Sequence, residues 1–299
     1  MSKVHAKYHV MNHANADYQS DIVSINYDAI KNLNFSIDFE EALSPHENEA
    51  LKGKDLNESI RFLLALNSIN YQYWDLHGGE FVRYQNNKAV GALACFGGFV
   101  NLWEDLQKDA SLCERLNEEV MAKYFGDIPE KASRIKILKE SLNPAILSSA
   151  ASLVEQHLSN GLIDTQTAAD VAEILPKSFK EPYLKKVQLA LYEIHLHAKS
   201  LNHYSRQSLT VAADYQLPKV LEAMGVIEYS EALKEKIAHY KPIEVDSREE
   251  RAIRAATVLS CEEISAQKNV SIPAIDRWLW LARNNFKDKK FHLTKTTAY

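Results

Sequence analysis

Asp55-Leu56-Asn57-Glu58-Ser59-Ile60-Arg61-Phe62-Leu63-Leu64 is the stretch that decides the fold class. Leu56, Ile60, Leu63 and Leu64 recur at i, i+4, i+7 and i+8, which lines one face of a helix rather than alternating across a strand. Outward from it, the same period returns along the chain. The spacing predicts a second helix over 88–107, and Leu112, Leu116 and Val120 mark a third. Asn143-Pro144 opens another that ends at Asn160-Gly161, where glycine suits a left-handed C′ position. Asp164 or Thr165 caps a short helix that stops before Pro176. Leu184, Val187, Leu191 and Ile194 define a face over 183–200. Pro218 suits a first helical turn and Gly225 a helix end. Ser230 caps 231–240. Ser247-Arg248-Glu249-Glu250 reads as a capping box launching a long helix toward Gln267. A last helix runs over 273–286 with Ile275, Trp278, Leu279 and Ala282 inward, and the Thr-rich tail 291–299 reads as extended.

Upstream of Asp55 the periodicity is weakest. Residues 1–54 read as an irregular or partly extended arm packed on the domain, with one or two short elements and a turn signal at Ser44-Pro45-His46-Glu47-Asn48. Glycine and proline are scarce (9 and 8), and no fixed-period repeat or low-complexity tract breaks the chain. The expectation is an all-α protein: a single globular multi-helix domain over 55–299, plus the arm.

A net charge of −5 supplies no global basic field for DNA or RNA, so no stable nucleic-acid complex is expected. The longest apolar runs, such as 62–66, are far too short for a bilayer, and polar 1–21 lacks the apolar core of a signal peptide. Cys95, Cys113 and Cys261 are odd in number and far apart, which fits reduced thiols in a cytoplasm. No phosphate-binding glycine loop, HExxH, CxxC or GxSxG motif occurs, so neither metal nor cofactor has sequence support. His195, His197 and His203 read as solvated or locally bonded, since i and i+2 diverge on a helix.

Five segments carry chemistry. Asn70-Tyr71-Gln72-Tyr73-Trp74 places an amide and three aromatics after a helix, suited to stack a flat heterocycle or to pack a helix end. Leu184-Lys185-Lys186-Val187-Gln188 sets two lysines by an amide, either for a phosphate or as a solvated face. Asp214, in Ala212-Ala213-Asp214-Tyr215-Gln216-Leu217-Pro218, reads first as a helix cap. A carboxylate among apolar groups also suits a nucleophile or an electrostatic partner for a positive transition state. Arg254 and Glu262 lie two turns apart on one predicted helix, as a buried polar pair or as exposed groups. Asp276 opens Asp276-Arg277-Trp278-Leu279-Trp280, and His292 and Lys295 add cationic or donor groups in the tail.

Taken in order, these segments resemble the queuosine salvage proteins, a family of queuosine 5′-phosphate N-glycosylases. The family's Asn-Phe-Ser-Phe-Trp is similar to 70–74, its Lys-Arg-Ala-Gln to 185–188, and its Ala-Asp-Tyr-Arg-Leu-Pro-Gln to 213–219, followed by a Leu-Gly-hydrophobic-x-Tyr-Ser pattern at 224–230. Its Arg-Gln/Glu-Glu-x-x-Ile-Arg resembles 248–254, its Asp-Tyr-Tyr-Leu-Trp 276–280, and its Phe-His-Arg-x-Arg-x-x-Tyr-Tyr 291–299. The departures fall on possible base or phosphate contacts: Tyr71 and Tyr73 for Phe, Lys186 for Arg, and Leu293 and Lys295 for the two tail arginines. The resemblance spans about 55–299.

It implies a fold similar to helix-hairpin-helix DNA glycosylases and hydrolysis of the bond between queuine and ribose 5-phosphate, with a small nucleotide as partner and no cofactor. It assigns Asp214 to the positive charge at C1′ or to attack on it. Queuine is a 7-deazaguanine without the usual N7 proton acceptor, so its remaining edges must be held, by Asp276 or Glu262. Tyr71, Tyr73 and Trp74 stack the ring with Asn70 on its edge. Lys185, Lys186, His292 and Lys295 form the phosphate cradle, and Gln188, Tyr215 and Arg254 carry over as substrate-binding residues. The alternatives are a nucleosidase for another modified purine nucleotide, a nucleic-acid base glycosylase, and a non-catalytic helical nucleotide-binding module.

Overall fold

In a computed structural model describing residues 5–35 and 42–299, the helices are α1 (His5–Asp17), α2 (Tyr27–Asn32), α3 (Pro45–Leu51), α4 (Leu56–Ser68), α5 (Ala92–Lys108), α6 (Glu118–Phe125), α7 (Lys131–Ser141), α8 (Pro144–Ser159), α9 (Thr165–Ile174), α10 (Pro176–Phe179), α11 (Lys185–Ser200), α12 (Gln216–Ala223), α13 (Glu231–Ala238), α14 (Arg248–Lys268) and α15 (Ile272–Ala282). The strands are short: β1 (Val23–Ile25), β2 (Trp74–His77), β3 (Glu80–Arg83), β4 (Gln85–Asn86), β5 (Ala89–Val90), β6 (Leu162–Asp164), β7 (Arg206–Ser208) and β8 (Ile227–Tyr229). They pair only in twos: β1 with β8, β2 with β3 and β4 with β5 antiparallel, and β6 with β7 parallel.

The leucine stripe behaves as its spacing predicts. Asp55 caps α4 through the Glu58 N–H at 2.8 Å, and Ile60, Leu63 and Leu64 are fully buried. That face meets α11 and α8, and one continuous apolar core runs from Val10 to Leu279. A smaller cluster of Trp74, Tyr215, Phe291, Leu293 and Tyr299 lies beside it. Asn143, Asp164, Ser230 and Ser247 each cap the helix expected of them.

Several expectations are corrected. Residues 1–54 are not an irregular arm: α1, α2 and α3 occupy much of the described part, while residues 1–4 and 36–41 fall outside it. Among the described side chains of α1, Val10 and Ala14 are the buried ones where it packs on α14 and α9, so its polar sequence carries little helical periodicity. Ser44-Pro45-His46-Glu47 is a capping box rather than a turn, with Ser44 and Glu47 exchanging bonds at the start of α3. Residues 85–90 form a hairpin, not a helix start, because Asn87 and Lys88 take positive φ in its two-residue turn. Leu112 and Val120 belong to different elements, since the Asn117 side chain accepts the Val120 N–H and starts α6 afresh. At α14, Ser247 accepts the Glu250 N–H but Glu250 does not reciprocate: its side chain faces Arg254 and Tyr299 instead.

Arg134 ties the α4 end of the site to the core. On α7 it shares the buried stripe of Ile137, Leu138 and Ser141, and its guanidinium is 0% exposed. It donates to the carbonyls of Pro129 (2.8 Å), Ile69, Tyr71 (2.6 Å) and Gln72 (2.8 Å), and lies 3.9 Å from the centre of the Tyr71 ring. A planar fork with five donors can serve four carbonyls at once; an ammonium cannot. Arg134→Lys should therefore lower stability in urea unfolding by about 3 kcal/mol, the cost of buried carbonyls left unbonded. A loss below about 0.5 kcal/mol, the scatter of ordinary surface changes, would remove Arg134 from this role.

Candidate active site

Three side chains from three helices fix the loop that leads from β7 to α12. Gln188 on α11 accepts the Thr210 N–H at 2.8 Å and donates to the Thr210 Oγ1 and the Tyr183 carbonyl, both at 2.9 Å. Asp276 on α15 accepts the Ala212 N–H at 2.7 Å. Arg254 on α14 donates to the Ala213 carbonyl at 3.3 Å. Asp214 follows immediately. Its Oδ1 accepts the N–H groups of Gln216 (2.7 Å) and Leu217 (3.1 Å), so it does cap the first turn of α12. Its Oδ2 takes no hydrogen bond from the described residues. Capping and an available carboxylate oxygen therefore coexist in one side chain: the cap orients the group and leaves half of it unused.

Asp276 stands within electrostatic range of Asp214. Burial pushes its carboxyl up to about 7; the Ala212 N–H opposes this, the Asp214 charge adds to it, and Lys185 offsets part. Lys185 is buried and donates from Nζ to the Asn70 carbonyl at 3.2 Å. Burial pulls its ammonium down, while Asp214 and Asp276 pull it back up. It lies within electrostatic reach of both carboxylates, and burial makes the solvated-face alternative fail for both lysines. Perturbed groups that converge on one another mark functional sites, because a fold without a use for them would neutralise or expose them.

The segment 70–74 joins this site through the Asn70 carbonyl, which Lys185 bonds. Asn70 Oδ1 accepts the Tyr73 hydroxyl at 3.1 Å, and the Tyr73 N–H reaches the Tyr215 hydroxyl. Tyr71 and Trp74 are each 1% exposed; burial pushes the Tyr71 phenol up to about 12. Gln72 sits at φ 31°, a strained value for a residue with a Cβ. It is held there by Arg134 at its carbonyl, by its N–H on the Tyr299 oxygen (3.0 Å), and by the Thr296 N–H on its Oε1 (3.2 Å). Leu184, at φ 52°, is the matching outlier before Lys185. Strain of this kind persists where surrounding bonds over-determine it, commonly at ligand sites.

The four groups expected to form a phosphate cradle do not form one cationic set. Lys186 is buried, bonded to the Ser68 carbonyl at 2.7 Å and set over the Tyr71 ring. His292 is neutral at physiological pH, because burial and nearby Arg254 pull its imidazole down to about 3; it meets the Tyr299 hydroxyl at 3.2 Å. Lys295 is exposed and pairs with Asp75 at 3.3 Å. Arg254 pairs with Glu181 (2.9 Å) and Glu250 (3.9 Å), a different partnership from the expected Glu262. Glu262 is half-buried on α14 and acts, with Asp276, on the buried Cys261 thiol. His195 is locally bonded, to Ser205, but His197 is buried and meets the distant Ser59 on α4, so it is neither solvated nor locally bonded.

Glu181, Arg134, Glu250 and Tyr299 are the network residues that the sequence reading passed over or took for caps. Arg134 had a signal: it falls at i, i+3, i+4, i+7 with Ile137, Leu138 and Ser141, a charge on a buried stripe. Glu181 had no signal for its ion pair, since Arg254 lies on a distant element.

A family model described as queuosine salvage protein matches residues 50–299. A queuosine 5′-phosphate N-glycosylase/hydrolase of Sphaerobacter thermophilus is 26% identical, over 94% of each chain. One of Dictyostelium discoideum is also 26% identical, over 81% of this chain and 78% of its own. With the family match extending through Asn70, Lys185, Asp214, Asp276 and the buried tail alike, the chain belongs to the queuosine salvage protein family.

Proposed function

We propose that the protein hydrolyses the N-glycosidic bond of queuosine 5′-monophosphate and releases queuine. The observation that carries this reading is Asp214 itself: a carboxylate aimed by its own cap, with Oδ2 unbonded, beside a second carboxylate and a lysine. The relatives' names supply the substrate. When the C1′–N bond breaks, its electron pair leaves with the base and positive charge builds on the ribose. The Asp214 carboxylate stabilises that charge or attacks C1′, and water ends on C1′ as the new hydroxyl. The proton lost by water balances the one gained by the base.

The remaining roles follow from position. Asp276 in its ionised form, with Glu262 nearby, accepts from the N–H edge of the base. Asn70, Tyr71, Tyr73, Trp74 and Tyr215 form the aromatic wall. Lys185 balances the two carboxylates, while Gln188, Arg254, Lys186 and His292 hold the loop, the motif and the tail that make the site. The catalytic unit is 55–299, with 1–54 packed on it, as the α1–α14 and β1–β8 contacts support. A kinship with helix-hairpin-helix DNA glycosylases is part of the same reading, supported by a predominantly helical chain with its aspartate at a helix start. No described helix is long and apolar enough to cross a membrane.

Incubation with queuosine 5′-monophosphate should yield free queuine by mass spectrometry. In Asp214→Asn the cap survives, since asparagine accepts the same N–H groups. The melting temperature should stay put while the rate falls on the order of 10³-fold. Full activity in this variant would end the assignment.

Ionisation of Asp276 gives a second expectation. Its carboxyl is raised, so below about 7 it is protonated and one oxygen becomes an O–H donor, and only above it are both oxygens charged acceptors. The kcat/KM for the nucleotide should climb through about pH 7, and Asp276→Asn should flatten that limb. An unchanged profile in the variant would assign the limb to another group.

A further inference from the structure

Next to Asp214 lies a set of cations that none of these roles uses. Lys219 is on α12, one turn beyond Gln216; Arg283 opens the 3-10 turn Arg283–Phe286, which packs on α12; Arg83 ends β3. Lys219 is 5% exposed yet makes no hydrogen bond or ion pair with any described residue. Arg83 and Arg283 are likewise without a carboxylate partner among the described residues. Arg283 is stacked on the Trp280 ring and donates to the Trp280 carbonyl, which fixes its plane and leaves further donors free. Arg83 and Arg283 both act electrostatically on Lys219, and Asp214 acts on Lys219 and Arg283.

We propose that Arg83, Lys219 and Arg283 form the anion subsite of this protein and take the 5′-phosphate of the nucleotide beside Asp214. Burying an ammonium next to two guanidinium groups costs free energy unless an anion joins them. The cost is visible in Lys219: burial first, then the charges of Arg83 and Arg283, pull its ammonium down to about 8, so it remains charged at neutral pH. A phosphate dianion would reverse that effect. Two guanidinium forks and an ammonium match its three terminal oxygens. The buried lysines of 185–186 cannot do the same, because a carbonyl or a carboxylate already claims each one.

The inference that the anion is a 5′-phosphate rests on the proposed function; that the site binds an anion does not. The test therefore has two arms, in wild type and in Lys219→Gln and Arg283→Gln. In the first, inorganic phosphate is titrated calorimetrically into the intact protein. In the second, kcat/KM is measured for queuosine 5′-monophosphate and for the dephosphorylated nucleoside, and their ratio is compared. Phosphate affinity should fall at least tenfold in each variant, and the nucleotide-to-nucleoside ratio should fall at least tenfold as well. Circular dichroism melts establish that the variants are folded. Phosphate affinity that depends on Lys219, with no base released from either substrate, keeps the subsite and rejects the reaction. Base release with an unchanged ratio and unchanged phosphate affinity rejects the subsite and keeps the reaction.

Discussion

The arginine at position 254 is buried where three separate pieces of chain meet. Its guanidinium lies between the Tyr183 and Tyr299 rings, pairs with Glu181 and Glu250, and holds the Ala213 carbonyl. Glu181 in turn accepts the N–H groups of Tyr183 and Lys185. One ion pair therefore sets where α11 begins, where the Asp214 loop runs and where the tail is stitched down. Such a pair contributes little net stability over an apolar substitute, but losing one member strands a buried charge at about 3–5 kcal/mol. Its value lies in fixing one arrangement of elements that are far apart in sequence.

Within that frame the proposed chemistry depends on crowding like charges. Asp214 and Asp276 both act electrostatically on Lys185, and the two aspartates differ because Asp214 spends one oxygen on a helix start while desolvation raises the carboxyl of the half-buried Asp276. Environment, not residue type, separates the roles of two identical side chains. The tail contributes by closing the far side. Phe291 packs on Tyr215, and Tyr299 bonds the strained Gln72.

Sequence reading recovered the elements whose information is local. The α4 stripe, the Asn143, Asp164 and Ser230 caps and the Gly225 helix end are each written within one turn of chain. Asp214 was legible as a cap, which its Oδ1 makes, and its Oδ2 is left for the catalytic role proposed for it. What escaped was non-local. The α1 helix is held by α14 rather than by its own periodicity. The partners of Lys185 and Lys186 are carbonyls in another segment, which no charge pattern announces. Residues 88–90 read as a helix start because a hairpin turn built from Asn87 and Lys88 leaves almost no hydrophobic signature. Glu250 fitted a capping pattern that its buried ion pair overrode.

The pairing of β1 with β8 joins Val23–Ile25 to residues about two hundred positions later, with Ile22 accepting the Ser230 N–H beyond the ladder. This makes the protein's assembly a matter of timing. During synthesis at about 5–20 residues per second, the first strand waits on the order of ten to forty seconds for its mate. The apolar side chains of Val23, Ile25 and Ile30 have no native cover until α14 has also been made. High separation between contacting segments slows folding for the same entropic reason. The nearly featureless, polar sequence of α1 then has a use of its own: a waiting segment with few apolar residues is a poor template for aggregation while the rest of the chain arrives.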